Sequence, residues 1–308
     1  MSLTAKQLEE RLDYVCGSDA SIIVGISPYK NQIQLWQEKT RQIRAEDISH
    51  KPYVKAGNFL EPAVRSWFEQ ETGLTVTLEP KLLVHNDIEY MAGNIDGWVG
   101  DDAIFEAKTA SYDTGWGEQG DNTIPDHYLC QVSHYMAVAN VKRAYVAVLI
   151  RGNDFRHYVI DRNYKLEEML LRKQKDFWHC VKTKTAPRPL SGSEVISLHG
   201  YKSIKEPVVA DGDVQQDLIT LDEVKATIKK LDIHKQELED KIKIFMGQND
   251  TLLSQSGKIA VTWKPAKNTT RFDSSSFKED EPETYSKYTK EFSASRRFVL
   301  KTQEGLEL

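Results

Sequence analysis

The chain has 308 residues, 40% hydrophobic and 28% charged, with a formal net charge of -5, enough for one sizeable core and a smaller appended unit. The acidic balance excludes a uniformly basic DNA-coating protein but leaves room for a local basic groove, because phosphate contacts depend on where Lys and Arg sit. No run approaches the roughly 18 to 20 apolar residues of a membrane span, and Cys16, Cys130 and Cys180 are too few for a disulfide framework or a four-thiolate metal centre, so a globular, cytoplasmic protein is expected.

In chain order, the opening MSLTAKQLEERL reads as an amphipathic helix start rather than a signal sequence. A helix is expected over residues 59–71, with Asn58 as its cap, Pro62 in its first turn and Gly73 as its stop. Three β-prone runs follow at 75–78, 82–85 and 90–99, the last with glycines that point to a bend. Residues 103–108 should pair back across Gly100–Asp101–Asp102. A helix over 126–138 then separates this hairpin from a second one, 144–150 with 155–160, and a helix over 162–181 closes the domain. Strands with intervening helices imply an α/β domain over 1–188 with a central mixed β-sheet flanked by helices.

A linker is expected at 189–212. Beyond it, Leu221, Val224, Ile228, Leu231, Leu238, Ile242 and Phe245 recur at three- and four-residue steps, an amphipathic helix of near-heptad period that Gly247 ends. Residues 258–264 and 298–301 are expected to form a short hairpin. A heptad seam does not name its partner, so the extension 213–308 is read either as a cover on the first domain or as a surface for oligomerisation or partner binding.

The chemistry concentrates in the first hairpin. Asp96 lies in Gly93–Asn94–Ile95–Asp96–Gly97, and Glu106–Ala107–Lys108 follows on the partner strand. Alternation puts Glu106 and Lys108 on one face, with Ala107 toward the core and its carbonyl edge-on, while the antiparallel return brings Asp96 beside Glu106. Two carboxylates and a carbonyl are hard oxygen ligands of the kind magnesium prefers. An ammonium beside them suits Lys108 to orient a nucleophile and stabilise charge on a scissile phosphate. Glu61 is placed to hold a second ion or its water shell, and Gln131 and Tyr135, one helical turn apart, to hydrogen-bond substrate or a general-base water. Each has an ordinary alternative: a solvated strand face for Glu106 and Lys108, a surface position for Glu61, a core ring for Tyr135. Their joint order is the signal.

That order, G-x-x-x-E, D-G, E-x-K and Q-x-x-x-Y, resembles the PD-(D/E)XK nuclease superfamily. Gly17–Ser18–Asp19–Ala20–Ser21–Ile22–Ile23, Gly25–Ile26–Ser27–Pro28–Tyr29 and Leu35–Trp36 narrow the resemblance to the YqaJ-type viral recombinases related to lambda exonuclease. It covers roughly residues 10–185 and implies a restriction-endonuclease-like core. It further implies that Asp96, Glu106, the Ala107 carbonyl and Glu61 bind Mg2+, for which Mn2+ substitutes, that Lys108 is catalytic, that Gln131 and Tyr135 match the helix motif, and that Arg11 and Ser18 engage a 5′-phosphate. The implied activity is a 5′-to-3′ exonuclease on double-stranded DNA ends, leaving 3′ overhangs for a single-strand annealing protein in phage-type homologous recombination. The implied assembly is a homo-oligomeric ring, a trimer. An endonuclease on the same scaffold and a non-catalytic DNA-binding or scaffold protein stay open.

Overall fold

The computed structural model describes residues 5–201, 204–290 and 295–301. The chain divides into two units, Met1–Gly200 and Tyr201–Leu308. The first begins with α1 (Ala5–Glu10), a 3-10 turn at Arg11–Asp13, α2 (Gly17–Ile23), α3 (Gln32–Lys39) and α4 (Pro52–Thr72). Five strands follow, β1 (Val76–Thr77), β2 (Leu83–Val84), β3 (Ala92–Gly93), β4 (Gly97–Val99) and β5 (Ala103–Ala110). Then come α5 (Asp126–Ala139), β6 (Arg143–Ile150), β7 (Asp154–Asp161), α6 (Tyr164–Thr183) and α7 (Gly192–His199). The main sheet has the order β1-β4-β5-β6-β7. Only β5 and β6 run parallel, which makes it a mixed sheet.

The sequence of β6, RAYVAVLI, is apolar on both faces, as a strand covered by helices on both sides must be. Ile104, Val146, Val148 and Tyr158 pack with Val132, Tyr135 and Met136 of α5 on one face. Phe105, Ala147 and Leu149 pack with Val64 and Phe68 of α4 on the other. The expected α/β core is therefore present, with α5 and α4 on opposite faces of β5. Among the described residues, no helix is long and apolar enough to cross a membrane.

Several expectations are corrected. Helix α4 starts at Pro52, in its first turn, so Asn58 is not its cap and Pro62 lies inside it. Leu60, Val64 and Phe68 form an i, i+4, i+8 stripe against the sheet, and this packing outweighs the one backbone hydrogen bond that Pro62 removes. Gly73 does end the helix, in the left-handed conformation at φ 70°. The run 90–99 is two strands: β3 pairs with β2 in a small separate sheet, while β4 joins β1 and β5. The expected linker 189–212 contains α7, whose N-terminal cap Ser191 accepts from the Glu194 N–H. The buried carboxylate of Glu194 in turn accepts from the backbone N–H of Gln32 on α3, which fastens α7 to the first unit.

The second unit contains α8 (Gly212–Met246), β8 (Thr251–Leu253), β9 (Ile259–Thr262), α9 (Ser274–Asp280) and α10 (Pro282–Tyr288). Asp211 caps α8 by accepting from the Val214 N–H at 2.9 Å, and Gly247 ends it as expected. The hairpin forms between β8 and β9, not with 298–301; the five-residue connection closes a local pair at an entropic cost lower by about 2 kcal/mol than a return across α9 and α10. Met1–Thr4 of the amphipathic start, and Lys202–Ser203 of the expected linker, lie outside the described residues.

Candidate active site

Asp96 is held where it is by the end of a strand. Pairing of β4 with β5 stops at Gly97 opposite Phe105, so the Ala107 N–H has no strand partner, and the Asp96 carboxylate accepts from it at 2.8 Å. The neighbouring glycine is required: a Cβ on Gly97 would lie 2.7 Å from the Thr77 carbonyl oxygen on β1. The D-G pair thus delivers a carboxylate beside β5 in place of a ladder bond.

Glu106 and Lys108 point from β5 toward α5. The Lys108 ammonium donates to Glu106 Oε1 at 2.6 Å and to Gln131 Oε1 at 3.2 Å. Gln131 Nε2 closes the triangle by donating to Glu106 Oε1 at 3.1 Å and reaches the Tyr135 hydroxyl, also at 3.1 Å. Tyr128 sits beneath the ammonium, 4.9 Å from ring centre to Nζ. The Tyr135 ring fits between two glycines: a Cβ on Gly17 would be 2.2 Å from it and one on Gly93 2.7 Å. Those contacts tie α2, β3 and α5 together around the cluster. His134, on the same helix, is buried with its Nε2 2.9 Å from the Ala92 carbonyl oxygen. Burial lowers its pKa, so the neutral ring donates that bond and fastens β3 to α5.

Burial and the Asp96 and Glu61 charges push the Glu106 carboxyl up to about 8, against the pull of Lys108. Burial likewise raises Asp96, offset in part by Lys108 and the Ala107 N–H, while Glu61 adds to the rise. Burial alone would lower Lys108, but Glu106 and Asp96 hold its ammonium above the usual lysine range. The cluster therefore has one cation against three carboxylates whose charges reach one another. One oxygen of the pair is also unspent: Glu106 Oε2 is buried and has no hydrogen-bond partner among the described residues, and the same holds for Asn94 Oδ1.

These residues fit a hard divalent ion. An orphaned buried carboxylate oxygen beside a second carboxylate calls for a positive partner. Among the described residues no three carboxylate, imidazole or thiolate side chains gather closely enough to hold an ion by themselves. A donor set of two carboxylates, a backbone carbonyl and water would suit magnesium, which keeps several waters.

Arg11 and Ser18 also come together: Arg11 Nη2 donates to Ser18 Oγ at 2.7 Å, and Ser18 is exposed. Lys39 props this corner. Its buried ammonium donates to the carbonyls of Arg11 at 2.7 Å and Tyr14 at 2.6 Å and pairs with Asp19 at 2.7 Å. Glu61, half-buried on α4, acts on the cluster through its charge. Sequence reasoning passed over Tyr128, Asn94, His134 and the Asp19–Lys39 pair. Tyr128 carried a usable signal, since it shares a helix face with Gln131 and Tyr135 at i, i+3 and i+7.

The profile of the YqaJ-like viral recombinase domain matches residues 6–142, a stretch holding every residue of the cluster. The uncharacterized protein YqaJ of Bacillus subtilis (strain 168) is 32% identical over 307 residues, covering 96% of this chain and 93% of its own; the likeness therefore includes the second unit. Among solved structures, an alkaline exonuclease of Laribacter hongkongensis superposes with a TM-score of 0.50 at 19% identity, covering 59% of this chain and 94% of that one. Over that share of the chain the fold is thus similar to that of an alkaline exonuclease.

Proposed function

Because the chain belongs to the YqaJ-like viral recombinase domain family, we propose that it is a magnesium-dependent 5′-to-3′ exonuclease acting on double-stranded DNA ends, whose 3′ overhangs pass to a single-strand annealing protein. The observation that carries the reading is the gathering of Asp96, Glu106 and Lys108 at β5, with Lys108 on one Glu106 oxygen and the other, buried, without a hydrogen-bond partner among the described residues. Asp96, Glu106 and the Ala107 carbonyl would hold the ion, with Glu61 acting on its water shell. When bound, magnesium lowers the pKa of a coordinated water and neutralises charge on the scissile phosphate. Lys108 stays an ammonium at alkaline pH because of its carboxylate neighbours, so it serves as a fixed cation for the developing phosphorane charge and not as the base. Gln131 holds that ammonium in place and links it to the Tyr135 hydroxyl. Arg11 with Ser18 offers a charge-assisted fork and a hydroxyl to a terminal 5′-phosphate.

Linear duplexes labelled at either 5′ or 3′ end, with and without 5′-phosphate and magnesium, test the proposal together with a covalently closed plasmid. Metal-dependent release from the 5′ end, leaving the complementary strand whole, supports it. Cutting of the closed plasmid favours an endonuclease on the same scaffold, and absence of any metal-dependent release favours a non-catalytic DNA-binding protein.

A further inference from the structure

Tyr29 projects from the loop between α2 and α3 and is 77% exposed, yet it is held from several sides. Its backbone N–H donates to Ser27 Oγ at 3.3 Å, and its hydroxyl shares a hydrogen bond with the Tyr128 side chain. Its ring meets that of His127 at 6.0 Å, with the planes inclined at 80°. His127 in turn lies against Tyr128, ring centres 4.1 Å apart, and the Lys108 ammonium sits 4.9 Å from the centre of the Tyr128 ring. One ring therefore separates Tyr29 from the charge that faces the scissile phosphate in the proposed reaction. Tyr29 also lines a groove of about 330 Å3 with Ser27, Asn31, Gln34, Ser191 and Ser193. The charged residues in that wall are already matched: Lys30 pairs with Glu38 at 2.6 Å, and Glu194 accepts from the Gln32 N–H. What remains is hydroxyl and amide, which suit the polar edge of a base better than a phosphate.

Resting on the exonuclease reading, we infer that Tyr29 is the stacking platform for a nucleobase next to the scissile phosphate, with the groove beside it receiving the polar edge of that base. The chemistry asks for such a surface. Glu106 is only 3% exposed, so a phosphodiester reaches the cluster only as a strand freed from its complement, and a base taken out of the duplex loses its stacking neighbours. An aromatic ring replaces that contact, and it does so for any sequence because every base has a π-face. A singly exposed aromatic is ordinary on a protein surface. One tethered at its hydroxyl, its ring and its backbone, with most of its surface open beside a phosphodiester site, is a stacking surface set in advance.

Fluorescence anisotropy of the full chain with 5′-phosphorylated, 3′-labelled tetranucleotides tests this, with Ca2+ replacing Mg2+ so that the strand is held and not cut. Each strand carries all its bases or lacks the base at its first or its second position. Removing the base that lies on Tyr29 should weaken wild-type binding about tenfold or more, within the range that one stacked base contributes. Tyr29→Ala should weaken binding of the complete strand by the same factor and lose nothing further on that abasic strand. Tyr29→Phe keeps the ring and should stay within about threefold of wild type, while Tyr29→Leu, apolar but not flat, should bind like Tyr29→Ala. Equal affinity of Tyr29→Ala and wild type for the complete strand would overturn the inference, as would abasic penalties at both positions that Tyr29→Ala leaves unchanged. The exonuclease reading fails separately, through a wild-type chain that holds the strand and releases no nucleotide when Mg2+ is restored; the coupling between Tyr29 and the base would then still establish the platform as a site for single strands.

Discussion

Magnesium affinity should be coupled to the proton on Glu106. Burial and the neighbouring carboxylates push this group up to about 8 in the ion-free protein, and only the ionised form can serve as a ligand. At pH 7 about one molecule in ten is ready, and at pH 6 about one in a hundred, so the dissociation constant should fall about tenfold per pH unit up to pH 8 and level off above 9. Calorimetric titration of Mn2+ or Mg2+ without DNA, repeated at pH 7 in buffers of different ionisation enthalpy, should also show close to one proton released per ion. The same coupling acts on folding. In the unfolded chain a glutamate titrates near 4.5, so between that value and about 8 the folded state binds the extra proton and apo stability falls as pH rises. Saturating magnesium should abolish that decline. A dissociation constant that stays within threefold between pH 6 and 9, with no proton release, would refute the reasoning.

Replacing Lys108 with Ala should lower single-turnover hydrolysis by about a hundredfold to a thousandfold while DNA affinity changes only a few-fold, and Lys108→Arg should fail to rescue, because a planar fork cannot take the place of a point charge between Glu106 and Gln131. Gly93→Ala drives a Cβ to within 2.7 Å of the Tyr135 ring, a loss of about 1–3 kcal/mol by denaturant titration; in a Tyr135→Ala background the loss should vanish, as a double-mutant cycle would show. Arg11→Ala should slow digestion of 5′-phosphorylated ends selectively, and an equal loss on hydroxyl ends would remove Arg11 from a phosphate pocket. Lys39→Met strands the buried Asp19 carboxylate, a cost of about 3–5 kcal/mol at neutral pH. Despite burial, Lys39 and Arg11 hold Asp19 below its ordinary value, so in the wild type this stability is present above pH ~4 and is lost as pH falls through the folded-state pKa; the variant's unfolding free energy should lack that acid-side decline.

The proposed catalytic cluster was legible because alternation along one strand and a single turn of one helix, both short-range rules, place Glu106, Lys108, Gln131 and Tyr135. Asp96 was legible too, although its geometry is not a ladder pair: its side chain takes over the Ala107 N–H where β4 ends. What lay beyond the sequence depends on tertiary packing. The start of α4 was misplaced because Pro62 reads as a first-turn proline until the Leu60–Val64–Phe68 stripe is seen against the sheet. Helix α7 hid in an expected linker because it is short, and its anchor, Glu194 on Gln32, spans 162 positions of sequence. The Lys39 support of Arg11 was invisible for the same reason, since its bonds go to backbone carbonyls 25 and 28 positions away, which carry no residue signature.

The account rests most directly on where a divalent ion settles. Crystals grown with Mn2+, with data collected at an energy that gives manganese an anomalous signal, should show a peak in contact with Asp96, Glu106 and the Ala107 carbonyl and beside the Lys108 ammonium. A peak elsewhere, or none at saturating Mn2+ and alkaline pH, would contradict it.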